Sequence, residues 1–233
     1  MDKALVIIPT YNEVENIEII VKKTLERKDF DILVVDDMSP DGTADVVLEL
    51  KKNHNSRLFL EQRAFKEGLG KAYIQGFRWA LKKKYDFIFE MDADLSHDPK
   101  ELSPMLDCLK SEFDLVVGSR YVKGINVVNW PLSRILLPYF ASLYVRGITF
   151  MPIKDPTAGF VGYTREVLEH LDFKRINFVG YAFQIEMKFK IWSKGYKYKE
   201  HPIIFTNREQ GVSKMNGKII WEALYAVLLL RVK

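Results

Sequence analysis

The sequence predicts an α/β protein built on a Rossmann-like, doubly wound, mostly parallel sheet flanked by helices. Three observations predict it. Short, continuous apolar runs alternate with helical patterns through the first half of the chain, as strands buried on both faces and joined by crossover helices require. Carboxylates stand just after several of those runs, where an open α/β sheet lines its ligand crevice. The 233 residues, 48% hydrophobic and 28% charged, suffice for one sizeable core of ordinary globular composition.

Taken in order, residues 4–8 read as a buried strand and Thr10-Tyr11-Asn12-Glu13 as a loop. The spacing of Val14, Ile17, Val21 and Leu25 predicts a helix. Residues 32–35 form the next strand, ending at Asp36-Asp37, and Ser39-Pro40-Asp41-Gly42 is a strong turn. Val46, Val47 and Leu50 mark a second helix, and residues 57–60 a third strand. A helix over 72–81, a strand over 87–91, a helix over 99–109 and a strand over 115–117 complete the alternation. Beyond Gly118 it stops: residues 155–163 read as a loop and short strand, 182–192 as a helix and 201–205 as a strand. With no Gly/Ser/Pro-rich linker, repeat or low-complexity tract, residues 1–233 are expected to form one domain.

Cys108 is the only cysteine, which excludes an intramolecular disulfide; in its amphipathic setting it reads as a packed thiol in a reducing compartment. The opening residues lack a secretory-signal pattern. The net charge of +4 is modest, and no nucleic-acid partner is expected. Its distribution is uneven. No acidic residue occurs from Tyr121 to Lys154, while Lys123, Arg134, Arg146 and Lys154 lie among Trp130, Leu136, Leu137, Tyr139, Phe140 and Leu143. The uncharged run 135–145 falls short of the roughly 20 residues that span a bilayer, and Pro138 interrupts it. Such a segment suits a membrane surface; the alternative is a helical hairpin packed on the core. Residues 221–231 are a second candidate of the same kind.

The stretch Phe87-Ile88-Phe89-Glu90-Met91-Asp92-Ala93-Asp94-Leu95-Ser96-His97 carries the chemistry. In extended backbone, residues two apart share a face, so Asp92 and Asp94 can reach one point beyond a strand. Two such charges repel unless a hard divalent cation sits between them, and that cation would hold phosphate oxygens. Asp98-Pro99-Lys100-Glu101 fits an N-cap, a proline at N1 and a capping-box glutamate. His97 suits a substrate contact or a loop-anchoring hydrogen bond. Gly68-Leu69-Gly70 opens a helix but completes no phosphate-binding motif, so tight helix packing is the expected role. Arg120 follows a strand, Arg134 follows Ser133, and Arg208 lies in a polar loop. Arg120 and Arg134 flank the start of the apolar segment, where a lipid-linked phosphate would be gripped by planar guanidinium groups.

Together these pieces resemble the inverting family 2 glycosyltransferases, and within them the polyprenyl-phosphate mannose synthases. The ordered set includes Pro9-Thr10-Tyr11-Asn12-Glu13, the run from Val35 through Asp37 to Thr43, Gly68-Leu69-Gly70, and the run from Met91 to His97. It continues with Gly118-Ser119-Arg120-Tyr121, Asp155-Pro156-Thr157-Ala158-Gly159-Phe160, the run from Gly180 to Met187, and the run from Arg208 to Lys214. The resemblance implies a GT-A fold with interfacial amphipathic helices. Residues 1–118 would bind the nucleotide sugar, 119–214 the acceptor, and 215–233 would face the membrane.

It implies GDP-mannose as donor, Mg²⁺ or Mn²⁺ as cofactor, and dolichyl or undecaprenyl phosphate as acceptor. The chain would work peripherally at the cytoplasmic face of a membrane, and a separate anchoring protein stays open. Pro9, Tyr11, Glu13 and Asp37 would hold the nucleotide. Asp92 and Asp94 would manage the metal and the sugar diphosphate, with Ser96 an open third ligand. Arg120, Ser133, Arg134 and Arg208 would grip phosphates, Arg208 on the donor side as well, and Asp92, Asp94, Arg120 and Arg134 would be the catalytic set. A phosphate monoester is already largely dianionic at neutral pH, so it needs positive charge and alignment and no general base. Alternatives are another donor such as UDP-glucose or UDP-N-acetylglucosamine, a hydroxyl acceptor with Asp155 as base, and a membrane-associated nucleotide-sugar binding module.

Overall fold

The structure, a computed structural model, describes residues 3–122, 127–128, 132–206 and 217–232. The first half runs β1 (Ala4–Thr10), α1 (Val14–Leu25), β2 (Phe30–Asp36), α2 (Thr43–His54), β3 (Leu58–Gln62), α3 (Leu69–Lys82) and β4 (Phe87–Glu90). After a 3-10 turn at Pro99–Glu101 come α4 (Leu102–Ser111), β5 (Leu115–Ser119), β6 (Val127–Val128) and α5 (Leu132–Thr149). Then follow β7 (Val161–Thr164), α6 (Arg165–Glu169), α7 (Tyr181–Ser193), β8 (Tyr198–Pro202), β9 (Phe205–Thr206) and α8 (Gly217–Val232).

Seven strands form one sheet in the order β3-β2-β1-β4-β7-β5-β8. β7 runs antiparallel to β4 and β5, and the other neighbours are parallel. The strands are apolar on both faces because both are covered. Leu5 and Ile7 of β1, with Leu33 and Val35 of β2, pack beneath α3 and α7. Ala4, Val6 and Ile8, with Phe30, Ile32 and Val34, pack against α1, α2 and α4. β1 continues through α1 to β2 on one side and pairs with β4 on the other. That reversal of strand order opens a crevice outside the carboxyl ends of β1, β2 and β4.

Two expectations need correction. The strand expected over 201–205 is two elements: β8 ends at Pro202, and β9 pairs with β6 in a separate two-stranded ladder. β8 reads Tyr-Lys-Glu-His-Pro because it is the outermost strand, where one side carries polar residues and proline is tolerated. β4 stops at Glu90, so Asp92 and Asp94 meet on a loop and not on extended strand backbone.

The basic, apolar segment forms α5, and α8 lies against it, with the Tyr144 hydroxyl donating to the Leu224 carbonyl at 3.1 Å. Pro138 is accommodated inside α5, where the Ser142 hydroxyl donates to the Pro138 carbonyl at 2.9 Å. Val145, Val227 and Leu230 face the core, while Leu137, Phe140, Leu143, Tyr225 and Leu228 are exposed. Core packing and an apolar outer surface therefore coexist in the same helix pair. Among the described residues no helix is long and apolar enough to cross a membrane.

Candidate active site

The three carboxylate groups expected at strand ends come together at the crevice, but they do different work. Asp36, paired in register with Thr10, is fully buried and spent on local structure. It accepts from the Thr10 hydroxyl at 2.8 Å and from the Ser39 N–H and hydroxyl at 2.9 and 2.6 Å. This fixes the loop after β2 against the end of β1. Asp41 and Thr43 extend the stitching: Asp41 accepts from the Val14 N–H at 3.0 Å, and the Glu13 N–H donates to the Thr43 hydroxyl at 3.0 Å. The Glu13 carboxylate accepts from the Asn16 amide at 3.1 Å. Asn12 and Met38 take positive φ values of 57° and 55° in these two loops. The pair of loops thus forms one braced wall, with Pro9 and Tyr11 on its β1 side.

Asp37 contributes its side chain to an ion pair with Arg63 at 2.7 Å, and Arg63 also holds Glu67 at 2.8 Å. Burial pushes the Asp37 carboxyl up, an effect that outweighs the opposing pull of Arg63. Lys66 stands over the Tyr11 ring, 3.8 Å from its centroid. Neither Arg63 nor Lys66 was anticipated. No local pattern marks them, because their partners lie 26 and 55 positions away along the chain.

Beyond β4 the chain turns sharply, with Leu95 at a φ of 62°. The Ser96 N–H donates to Asp94 at 3.1 Å, so Ser96 supports the loop through its backbone. His97 accepts the Asp92 N–H at its Nδ1 at 3.3 Å and stacks on Phe160 at 5.0 Å. Burial pulls its pKa down, which keeps the ring neutral and able to accept. His97 is therefore the loop anchor. Asp98 caps the following turn through the Lys100 N–H at 3.0 Å, as expected. Glu101 does not close the capping box: its carboxylate meets His201 of β8 at 2.7 Å. Asp92 is half-buried and Asp94 is buried. Gly159 lies beside Asp92, where a Cβ would sit 3.4 Å from Oδ2.

Among the described residues there is no group of three or more His, Cys, Asp or Glu that could hold a metal. Asp92 and Asp94 still fit one kind of ion. Two hard carboxylate donors suit a small divalent cation that keeps water and takes its remaining ligands from substrate phosphates.

Arg120 directly follows β5. Asp155 accepts its N–H at 3.0 Å, its Nε at 2.7 Å and its Nη2 at 2.7 Å. Nη2 also donates to the Thr157 hydroxyl at 2.8 Å. Asp155 is fully buried and Arg120 nearly so. The guanidinium overcomes the cost of burial and holds the Asp155 carboxyl below the usual range. Arg120 stands over the rings of Tyr121 and Phe205 at 5.1 and 5.4 Å. Arg120 is thereby fixed in one orientation.

The Asp155–Gly159 segment is also held from beneath. Lys188 of α7, fully buried, donates to the Ala158 carbonyl at 2.7 Å and the Gln184 carbonyl at 3.1 Å. Gln184 donates to Glu90 at 2.5 Å, and the Tyr163 hydroxyl reaches the same carboxylate at 3.1 Å. Burial drives Glu90 up and Lys188 down, and each charge opposes the other's shift. Glu186 accepts the N–H groups of Asn177 and Phe178 at 2.9 and 3.0 Å. The run from Gly180 to Met187 thus supports the site from behind. Gly70 packs α3 on α7 as expected, since a Cβ there would lie 2.7 Å from the Phe183 ring, while Gly68, at a φ of 103°, lies against Val179 in the segment before α7. The backbone of Ser133 and Arg134 lies in α5, their side chains lie outside the description, and Arg208 lies outside the described residues.

A family model described as glycosyl transferase family 2 matches residues 5–172. The chain is 46% identical over 226 residues to a polyprenol monophosphomannose synthase of Mycolicibacterium smegmatis, covering 97% of this chain and 85% of that protein. It is 42% identical to an undecaprenyl-phosphate mannosyltransferase of Micrococcus luteus, covering 97% and 92%. Its fold matches a mannosyltransferase from Pyrobaculum calidifontis, solved with GDP-Man and Mn²⁺, at a TM-score of 0.63 and 18% identity, over 98% of this chain and 69% of that one.

Proposed function

We propose, because the chain belongs to glycosyl transferase family 2, that it transfers mannose from GDP-mannose to a polyprenyl phosphate, dolichyl or undecaprenyl, by direct displacement. Displacement from the back of an α-linked donor inverts the anomeric carbon and yields a β-linked product. Pro9, Tyr11, Glu13 and Asp37 hold the nucleotide against the braced wall of the crevice. Asp92 and Asp94 would hold Mg²⁺ or Mn²⁺, and that cation, when bound, would supply positive charge to offset the charge of the departing GDP. Arg120, Ser133, Arg134 and Arg208 bind phosphate oxygens, and Arg120 and Arg134 align the acceptor.

The observation that carries this reading is the Arg120–Asp155 pair. Asp155 is the carboxylate that a hydroxyl acceptor would recruit as a base, yet Arg120 and Thr157 occupy both its oxygens. A carboxyl held below its usual range is a poor proton acceptor. A phosphate acceptor needs none. The exposed apolar face of α5 and α8 supports a membrane-bound acceptor, since Leu137, Phe140, Tyr225 and Leu228 would rest on lipid with Arg231 beside them. A cytoplasmic-face location accords with the lone Cys108.

The test offers undecaprenyl phosphate and undecaprenol in parallel, with labelled GDP-mannose and Mg²⁺. Label entering the lipid phase with the phosphate alone is the expected outcome. Label entering with the alcohol restores the hydroxyl-acceptor alternative.

A further inference from the structure

Residues 155–159 touch both halves of the site. At one end, Asp155 holds the Arg120 guanidinium through Nε and Nη2. The Thr157 hydroxyl accepts from the same Nη2 and donates to Asp155 at 3.2 Å. At the other end, Gly159 lies beside Asp92, where a Cβ would sit 3.4 Å from one carboxylate oxygen and 3.8 Å from the other. Between them the Ala158 N–H donates back to the Asp155 carbonyl at 3.3 Å, which folds the segment into a turn.

The carbonyl of that turn is held by a buried charge. Lys188 of α7 is fully buried, and its ammonium donates to the Ala158 carbonyl at 2.7 Å. It also donates to the Gln184 carbonyl at 3.1 Å and to the Gln184 side-chain oxygen at 3.2 Å. An ammonium carries three protons, and these three neutral oxygens match them. Burying a charge among neutral acceptors costs more than burying an apolar chain of the same length, and a methionine would fill this space without that cost. Two of the acceptors belong to Gln184, one turn earlier on the same helix. The third is what the ammonium reaches across for, and a methionine could not hold it.

We propose that Lys188 is a positioning residue for the transfer: by fixing the Ala158 carbonyl it sets the placement of Arg120 relative to Asp92, and so of the acceptor phosphate relative to the donor. The proposal rests on the reading of Asp92 as a donor-side residue and Arg120 as an acceptor-side one. Each substrate needs only its own half of the site to bind. Displacement needs both halves in register, and a misplacement of about 1 Å can cost about 100-fold in rate.

The test compares Lys188→Met with the unaltered chain and with Tyr85→Phe, which removes a 2.7 Å hydrogen bond to Asp31 near the far end of β2 from the site. Thermal melting is measured first, then kcat and both KM values with GDP-mannose, Mg²⁺ and undecaprenyl phosphate, below the melting temperature of every variant. Lys188→Met should lower kcat by about 10- to 100-fold and leave both KM values within about threefold. Tyr85→Phe should melt lower and keep its kcat. Should Lys188→Met fail to fold, Lys188→Gln, which keeps a neutral donor on a shorter chain, is read in the same way. An unchanged kcat in the folded variant overturns the proposal, as does a loss of kcat shared by Tyr85→Phe. A rise in KM with kcat intact overturns it too, since the lysine would then support binding alone. An unaltered chain that transfers no mannose to the lipid phosphate overturns the underlying reading and takes this proposal with it.

Discussion

At the scale of single residues, the site separates carboxylates committed to local structure from the two proposed to hold the cation. Asp94 belongs to both groups, since it accepts the Ser96 N–H and is one of the two proposed cation ligands. Asp94→Asn keeps an acceptor for that N–H and removes the charge. It should cut turnover by at least about 100-fold while leaving urea-unfolding stability within about 1 kcal/mol. Asp155 is the opposite case. Asp155→Asn leaves the Arg120 guanidinium buried without its countercharge and should cost about 3–5 kcal/mol in urea unfolding. The pH dependence has a definite sign. A carboxyl whose folded pKa lies below its unfolded value contributes stability fully above about pH 4, and that contribution is lost as the pH falls through the folded value. The unaltered chain should therefore lose stability below about pH 4 more steeply than the Asn variant. The Asp-Ala-Asp spacing was legible because an apolar run ended in it. The pairing of Asp37 with Arg63 and of Arg120 with Asp155 was not, because each contact joins residues 26 or 35 positions apart.

At the scale of elements, the parallel half of the sheet was legible because strands buried on both faces must be continuously apolar. The direction of β7 was not: a short apolar run looks the same whether it pairs parallel or antiparallel. β8 was misplaced because an edge strand need not be apolar. The helix α7 shows a structural role for the run from Gly180 to Met187, since Gln184 and Glu186, with Lys188 just beyond it, turn inward to backbone and carboxylate partners. Its packing on α3 depends on the second glycine of Gly68-Leu69-Gly70. Gly70→Ala forces a methyl into the Phe183 ring and the Phe178 carbonyl, and should lower stability by about 1–3 kcal/mol in chemical denaturation.

At the scale of the whole molecule, the crevice at the strand ends and the apolar outer face of α5 and α8 belong to one account, in which a water-soluble donor meets a lipid acceptor. The sequence marked the second region by its lack of acidic residues and its apolar content, but could not choose between core packing and surface exposure. The helix pair does both, because two helices side by side present inner and outer stripes. Replacing Leu137 and Phe140 with serine should weaken flotation with anionic lipid vesicles by tenfold or more, since each buried apolar side chain contributes about 1.5–3 kcal/mol. Binding of GDP-mannose in solution should be unchanged. The central claim, inverting transfer of mannose to a phosphate, is tested most directly by the anomeric configuration of the product. NMR of the lipid formed from GDP-mannose, Mg²⁺ and undecaprenyl phosphate should show mannose joined to phosphate through a β linkage. An α linkage, or mannose attached to anything other than the phosphate, would contradict it.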